Sequence, residues 1–312
     1  MYRQQKLKRL LEGICPRGVK EREPLSPYTT IRIGGRADWL IEPKNISEIK
    51  QLLETARAEN IPWFVLGRGS NLLVSDRGLR GMVFHLSTPR PPITIKGFKN
   101  GQHLLEVEAG FPLSKLVRFG IENRLRGLEF LAGIPGSMGG AWAMNAGSYG
   151  KEIKEITAYL IILSSEGRMI RKGKKELGFA YRSLKLEPGE VILSGGIKLS
   201  SGEAESIQKE TLKLWSQRRA AQPLNRLSCG SVFKNPPGDF AGRLIEKTGL
   251  KGVQRGGAQI SSRHANFIVN QGGARAADVL YLMNLIRARV REQSGVLLEP
   301  EVRLWGCSLK EI

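Results

Sequence analysis

Small residues dominate the stretch from Ala132 to Gly150, and no other feature limits the possible folds of this chain so tightly. So much missing side-chain volume leaves a core loose unless something else fills the space. Pro135 and the surrounding glycines also work against a long close-packed helix. A second Gly-rich loop, Leu66-Gly67-Arg68-Gly69-Ser70-Asn71, follows a run, Trp63–Leu66, that reads as a buried strand. Glycine's missing Cβ lets backbone N–H groups approach a phosphate there, with Ser70 and Asn71 as further donors. The spacing is neither a Gly-x-Gly-x-x-Gly fingerprint nor a Walker motif, and a strained hairpin turn would use the same residues. Two such loops in one domain favour a ligand with two phosphates and a large flat body. FAD meets that description.

The chain's 312 residues suffice for roughly two domains of about 150 residues each. Short apolar runs alternate with helical patterns, which reads as α+β. Ile49, Leu52, Leu53 and Ala56 recur at helical spacing, with Ser47 as the expected N-cap and Asn60-Ile61-Pro62 as the stop. Lys99-Asn100-Gly101 predicts a tight hairpin, because Asn-Gly supplies the positive φ angles of such a turn. Helices are expected over 112–124, 206–219, 239–248 and 275–293. The last would carry an apolar stripe of Ala277, Leu280, Met283, Leu285 and Ile286 and end at Gly295. A change of texture near Gly195-Gly196 suggests a domain boundary.

Hydrophobic residues make up 41% of the chain, which is ordinary for a globular protein. No apolar run approaches the ~18–20 residues of a membrane span. The basic first residues place Leu7, Leu10 and Leu11 on one helical face, but no apolar core of a secretory signal follows, so a cytoplasmic location is expected. Cys15, Cys229 and Cys307 are too scattered for a disulfide framework, and with only three histidines no metal centre is expected. The formal charge of +20 suits nucleic acid, an acidic membrane surface or small anionic ligands, or is simply a solvated basic face. The charges are spread along the chain without an aromatic-interleaved motif. No specific nucleic acid, membrane insertion or obligate protein partner is therefore expected.

Six segments carry a resemblance. They are Thr29–Ala37 (Thr-Thr-Ile-Arg-Ile-Gly-Gly-Arg-Ala), Leu66–Leu73 (Leu-Gly-Arg-Gly-Ser-Asn-Leu-Leu) and Ala132–Gly140 (Ala-Gly-Ile-Pro-Gly-Ser-Met-Gly-Gly), then Phe179-Ala180-Tyr181-Arg182, Cys229–Pro236 (Cys-Gly-Ser-Val-Phe-Lys-Asn-Pro) and Leu298–Arg303 (Leu-Glu-Pro-Glu-Val-Arg). In this order and spacing, from about Pro24 onward, the chain resembles the UDP-N-acetylenolpyruvoylglucosamine reductase family. The resemblance implies reduction of UDP-N-acetylglucosamine enolpyruvate to UDP-N-acetylmuramate for peptidoglycan synthesis, with NADPH and non-covalent FAD. It implies an N-terminal arm over 1–29 and an FAD-binding domain of the vanillyl-alcohol-oxidase (PCMH) type over 30–195. A smaller α+β substrate-binding domain would span 196–298, and a strand within 299–312 would carry a catalytic glutamate. The implied flavin contacts are Gly67, Arg68, Gly69, Ser70, Asn71 and Leu72 from the first loop. Pro135, Gly136, Ser137, Gly139, Gly140, Asn145, Ala146 and Gly147 come from the second. The nucleotide-sugar substrate would meet Tyr181, Arg219, Lys234 and Asn235.

The resemblance further implies three catalytic residues. Arg182 suits the enolate-like charge that builds on the substrate carboxylate, since guanidinium stays charged and grips bidentately. A surface or ion-pairing arginine is its ordinary alternative. Ser231 matches the proton donor, although an isolated serine in such a turn would be a turn-capping residue. Glu299 and Glu301 stand two apart across Pro300, so on a strand both would share one face, and residue physics does not choose between them. The family pattern selects Glu301, before Val302-Arg303, and leaves Glu299 for a salt bridge to an arginine. One departure is that the family's Tyr-Arg-x-Ser reads Tyr181-Arg182-Ser183-Leu184 here, so a supporting serine is shifted or absent. The length between the flavin domain and Ser231 fits the shorter subtype. A flavin oxidase of the same fold and a basic nucleic-acid-binding module are the competing readings. The oxidase would commonly anchor FAD through a His or Cys, and neither loop contains one.

Overall fold

This computed structural model describes residues 2–86 and 93–309. The chain gathers into two compact units, Met1–Glu21 with Trp39–Gly67 and Gly81–Ser216, and Arg22–Asp38 with Arg68–Arg80 and Gln217–Ile312.

The first unit is built on a six-stranded sheet. Its path runs Met169–Gly173, Thr157–Leu163, Val191–Ser201, Gln102–Glu108 and Ile93–Lys99, with Leu125–Arg126 paired beside Val191–Ser201. The Asn-Gly signal is borne out: Asn100 and Gly101 have φ 51° and 74°, closing the turn from Lys99 to its partner Gln102. Helix Leu113–Glu122 buries Leu113, Leu116 and Val117 in the core below this sheet. A second core gathers Leu11, Trp39, Leu52, Met82 and Phe84, where helices Tyr2–Ile14 and Ile46–Ala58 pack. Helix Ile46–Ala58 is capped by Asn45, not by Ser47 as expected. Asn45 is extended (φ −149°) and its Oδ1 accepts from Glu48 N, while Ser47 already lies within the first turn.

The Gly195-Gly196 pair does not mark a boundary. Both residues lie inside the uninterrupted strand Val191–Ser201, because large rings rest on it there. A Cβ on Gly195 would stand 2.7 Å from Trp142 Cζ2, and one on Gly196 2.2 Å from Tyr159 Cε1. The units divide instead at Ser216 and Gln217.

In the second unit Leu227–Ser231, Phe267–Asn270, Ala258–Ile260 and Gln254–Arg255 form a four-stranded sheet in that order. Helices Ala241–Lys247 and Ala276–Ser294 bury their apolar faces with it. The buried stripe of the long helix is Ala276, Val279, Leu282, Met283, Ile286 and Val290. It is rotated from the expected one, leaving Leu280 and Leu285 only partly buried. The helix ends as predicted at left-handed Gly295 (φ 69°), whose N–H bonds Arg291 O. Leu72–Val74 pairs in parallel with Arg303–Trp305, so the strand near Glu301 is shorter than expected and begins two residues after it. Among the described residues no helix is long and apolar enough to cross a membrane, and no group of His, Cys, Asp and Glu could hold a metal ion.

Candidate active site

The Gly-rich loops owe their paths to close approaches that a side chain would block. At Gly67 a Cβ would stand 2.4 Å from Ser137 Oγ, so glycine lets the first loop meet the second. Ser137 in turn caps the short helix Met138–Ala143, its side chain accepting from Gly140 N. Gly69 is left-handed (φ 58°), and a Cβ there would stand 2.2 Å from Tyr28 O. Gly139 N donates to Ala109 O at 2.7 Å, which ties the small-residue helix to the sheet below. At exposed Gly140 a Cβ would find only Ser137 Oγ, at 3.6 Å. Gly133, Gly136, Gly139, Ala146 and Gly147 leave their main chain half-exposed. Open backbone without side chains is the surface a flat, phosphate-bearing group requires, and these residues fit FAD.

Two of the expected flavin contacts have other partners. Asn71 donates through Nδ2 to Glu301 O at 3.1 Å, and its own carbonyl accepts from Arg303 N at 3.0 Å. Asn145 is fully buried, its Nδ2 bonded to Ala180 O at 2.9 Å and its Oδ1 accepting from Lys154 N at 3.3 Å. Asn145, fully buried, does not present its amide as a phosphate donor would, whereas Asn71 is only half-buried.

Arg182 stands in a two-residue turn between strands Gly178–Ala180 and Ser183–Lys185, where Ala180 pairs with Ser183. The displaced serine of the Tyr-Arg-Ser run is therefore the first residue of the returning strand. Arg182 is left-handed (φ 54°), and its guanidinium lies 5.1 Å from the ring centre of exposed Tyr181. A Cβ on Gly147 would stand 3.1 Å from Arg182 Nη1, so the guanidinium runs against bare backbone.

In the second unit, Ser231 follows left-handed Gly230 (φ 77°), at a register shift between Leu227–Ser231 and its neighbour Phe267–Asn270. Bulges of this kind re-aim side chains at the edge of a sheet. Ser231 is half-buried, and its hydroxyl bonds no other described residue. Burial pushes the Cys229 thiol up to about 12, which leaves it a core residue and no rival proton donor. Beyond Ser231 the chain runs beside the glutamates: Glu301 N donates to Val232 O at 2.9 Å, and Lys234 N to Glu299 O at 2.9 Å. The side chains separate the two acids. Glu299 is exposed and pairs with Lys234 Nζ at 3.2 Å, a lysine in place of the expected arginine, whereas Glu301 is half-buried. Asn235 accepts from Ala241 N through Oδ1 at 3.0 Å and so starts helix Ala241–Lys247. Arg219 is exposed, its carbonyl accepting from Arg263 Nη1 at 3.2 Å.

Two further polar residues, neither among the expected site residues, support this main chain. Asn266, almost fully buried, imitates a neighbouring strand with its amide, accepting from Phe233 N at 3.0 Å and donating to Phe233 O at 2.8 Å. Thr30 Oγ1 donates to Ser228 O at 2.7 Å. Asn266 carries no sequence signal beyond polarity beside an apolar run, whereas Thr30 stands in the Thr29–Ala37 segment that carries the resemblance. A cavity of about 410 Å³, lined among others by Gln102, Arg126, Lys174 and Lys198, contains none of the expected site residues.

Known proteins bear on this geometry directly. The description "FAD binding domain" matches residues 37–173, and "UDP-N-acetylenolpyruvoylglucosamine reductase, C-terminal domain" matches residues 222–305. A UDP-N-acetylenolpyruvoylglucosamine reductase of Rubrobacter xylanophilus is 44% identical over 298 residues, covering 95% of this chain and 98% of the relative. One from Symbiobacterium thermophilum is 42% identical over 292 residues, covering 93% of both chains. The crystal structure of the Thermus caldophilus reductase superposes with a TM-score of 0.78 at 38% identity, covering 91% of this chain and 98% of that one. The fold is accordingly α+β, with an FAD-binding domain. With relatives this similar over nearly its whole length, the chain belongs to the UDP-N-acetylenolpyruvoylglucosamine reductase family.

Proposed function

We propose that the chain reduces the enolpyruvyl double bond of UDP-N-acetylglucosamine enolpyruvate, giving UDP-N-acetylmuramate for peptidoglycan synthesis, with NADPH as the ultimate reductant. The Gly-rich loops around Gly67–Asn71 and Gly133–Gly140 would hold FAD, which, once reduced by NADPH, would supply the hydride needed at the methylene carbon. The pair of electrons in the double bond moves toward the substrate carboxylate, and the neighbouring carbon then takes a proton. Arg182 grips that carboxylate and stabilises the charge that gathers on it. Ser231 gives its hydroxyl proton to the enolate-like carbon. A serine is a weak acid in water, so it serves only against so basic a carbon and with a neighbour to steady it. Glu301 supplies that neighbour, bonded to the reacting carboxylate or to a water that supports the acid. Tyr181, Arg219, Lys234 and Asn235 border the nucleotide sugar, with Lys234 released from Glu299 when a diphosphate competes for it. A nucleotide sugar and NADPH are cytoplasmic solutes, and the cytoplasm is the proposed location.

The single observation that carries this reading is the backbone ladder joining Glu301 N to Val232 O, directly beyond Ser231. Glu301 N and Val232 O join adjoining stretches of main chain, which supports pairing Glu301 with Ser231. The test separates the two half-reactions. The protein is reduced with NADPH without oxygen, and UDP-N-acetylglucosamine enolpyruvate is then added. Rapid return of the oxidised flavin spectrum is expected. A spectrum unchanged by this substrate would overturn the proposal.

A further inference from the structure

We propose that Asn145 is a positioning residue for Arg182, holding the arginine-bearing turn by the carbonyl of Ala180, and is not a contact to the flavin. The inference rests on the reading of Arg182 given under the proposed function.

The turn needs outside support. Arg182 occupies its second position with φ 54°, a place that favours Gly or Asn. A larger residue held there is strained and persists only where the surroundings impose it. Only two residues connect the short strands Gly178–Ala180 and Ser183–Lys185. So small a hairpin is marginal by itself. The bond from Asn145 Nδ2 to Ala180 O, at 2.9 Å, grips the residue at which the turn begins.

Asn145 reaches that carbonyl because of how helix Met138–Ala143 ends. Ala146 N bonds Ala141 O at 2.8 Å and Asn145 N bonds Trp142 O at 3.0 Å, the double closure of a left-handed helix terminus. Asn145 is the left-handed residue of that terminus (φ 40°), and its side chain turns into the protein, where it is fully buried. Its two partners set the amide's orientation, a carbonyl on the nitrogen side and the Lys154 N–H on the oxygen side. Buried bonds of this kind have no water to replace them when one partner is removed. Two residues on, Gly147 completes the seat: its missing Cβ leaves room for Arg182 Nη1 and for Lys151 O, which would otherwise lie 3.1 and 2.6 Å away. The small-residue stretch thus carries two duties, open backbone along Gly133–Gly140 and a mount for Arg182 at Asn145–Gly147.

Asn145→Gly tests this, since glycine keeps the left-handed terminus and removes only the amide. FAD affinity, measured by fluorescence titration, and anaerobic reduction by NADPH should stay within about twofold of the parent. Reoxidation by UDP-N-acetylglucosamine enolpyruvate should slow by roughly 10–100-fold, as expected when a reacting group is displaced. Added to Arg182→Ala, the same change should slow reoxidation by less than about threefold further, because the group it positions is already gone. An equal loss in flavin affinity would make Asn145 a cofactor residue and overturn the proposal. Effects that multiply in the double variant, or normal reoxidation in Asn145→Gly, would overturn it too. If Asn145→Gly fails to fold, the isosteric Asn145→Asp, which keeps the acceptor for Lys154 N and loses the donor, is read in the same way. Normal turnover of Arg182→Ala alone would instead sink the role given to Arg182, whatever Asn145 does.

Discussion

Ser231 owes its presentation to the residue before it. Gly230 takes a φ of 77° at the point where the strand slips register, and this turns the next hydroxyl out of the ladder. The sequence around Ser231 showed a turn but not which way its serine would face, because the slip depends on a partner strand more than thirty residues away. Ser231→Ala should retain flavin reduction by NADPH and lose reoxidation by substrate by about 10²–10⁴-fold, the usual size of an acid's contribution. Stopped-flow absorbance of the flavin reads both halves, and normal reoxidation would remove Ser231 from the mechanism. Gly69→Ala should release flavin instead, since its Cβ would meet Tyr28 O at 2.2 Å, and a colourless purified variant is the outcome to look for. His264 belongs to this scale as well. Burial first, and then nearby Lys251, hold its imidazole below the ordinary value of about 6.5. The folded protein therefore favours neutral His264 while the unfolded chain takes up a proton first. Its contribution is present above pH ~6.5 and is lost as pH falls through the depressed folded value. Thermal midpoints should fall between pH 7 and 5, and less steeply in His264→Gln. Parallel curves for the two proteins would contradict the assignment.

Among the elements, those announced by neighbours in sequence were legible and those completed from afar were not. The Asn100-Gly101 hairpin and the Gly295 helix end each depend on backbone angles that one or two residues dictate, and both stand where expected. The start of helix Ala276–Ser294 is different. Asp76, about two hundred residues earlier, accepts from Ala276 N at 2.8 Å and from Ala277 N at 3.0 Å with its two oxygens. A carboxylate is favoured there by both the unpaired N–H groups and the helix dipole. No local pattern could reveal it, and the buried stripe of that helix departs from the expected one for the same reason: which face is covered depends on remote partners. Asp76→Ala should lower stability by about 1–2 kcal/mol, the usual loss for a removed cap. Denaturant melts should show a lower midpoint with an unchanged slope, and an unchanged midpoint would mean that the cap is idle.

For the molecule as a whole, composition spoke more clearly about class than about layout. The excess of 49 Lys and Arg over 29 Asp and Glu is spread over both units. Arg126, Lys174 and Lys198 beside the 410 Å³ cavity show basic residues gathering apart from the expected site. Binding to DNA should be weak, blind to sequence and abolished by moderate salt, as phosphate contacts alone dictate. Mobility shifts at several salt concentrations would show this, and tight salt-resistant binding to one sequence would refute it. The division into units was hidden because each unit is assembled from separated segments, a property of three-dimensional contact with no local mark in the chain.

That interleaving sets a timetable. Leu72–Val74 finds its parallel partner only in Arg303–Trp305, and Asn71 finds Glu301 across 230 residues. At ribosomal rates of about 5–20 residues per second, the earlier strand waits roughly 10–50 s for its mate to be made. During that interval three apolar side chains that end up buried, Leu72, Leu73 and Val74, remain uncovered beside the unfinished Gly-rich loop. The loop is complete only once residue 305 has been synthesised. Nascent chains stalled before that point should therefore be the ones that chaperones hold.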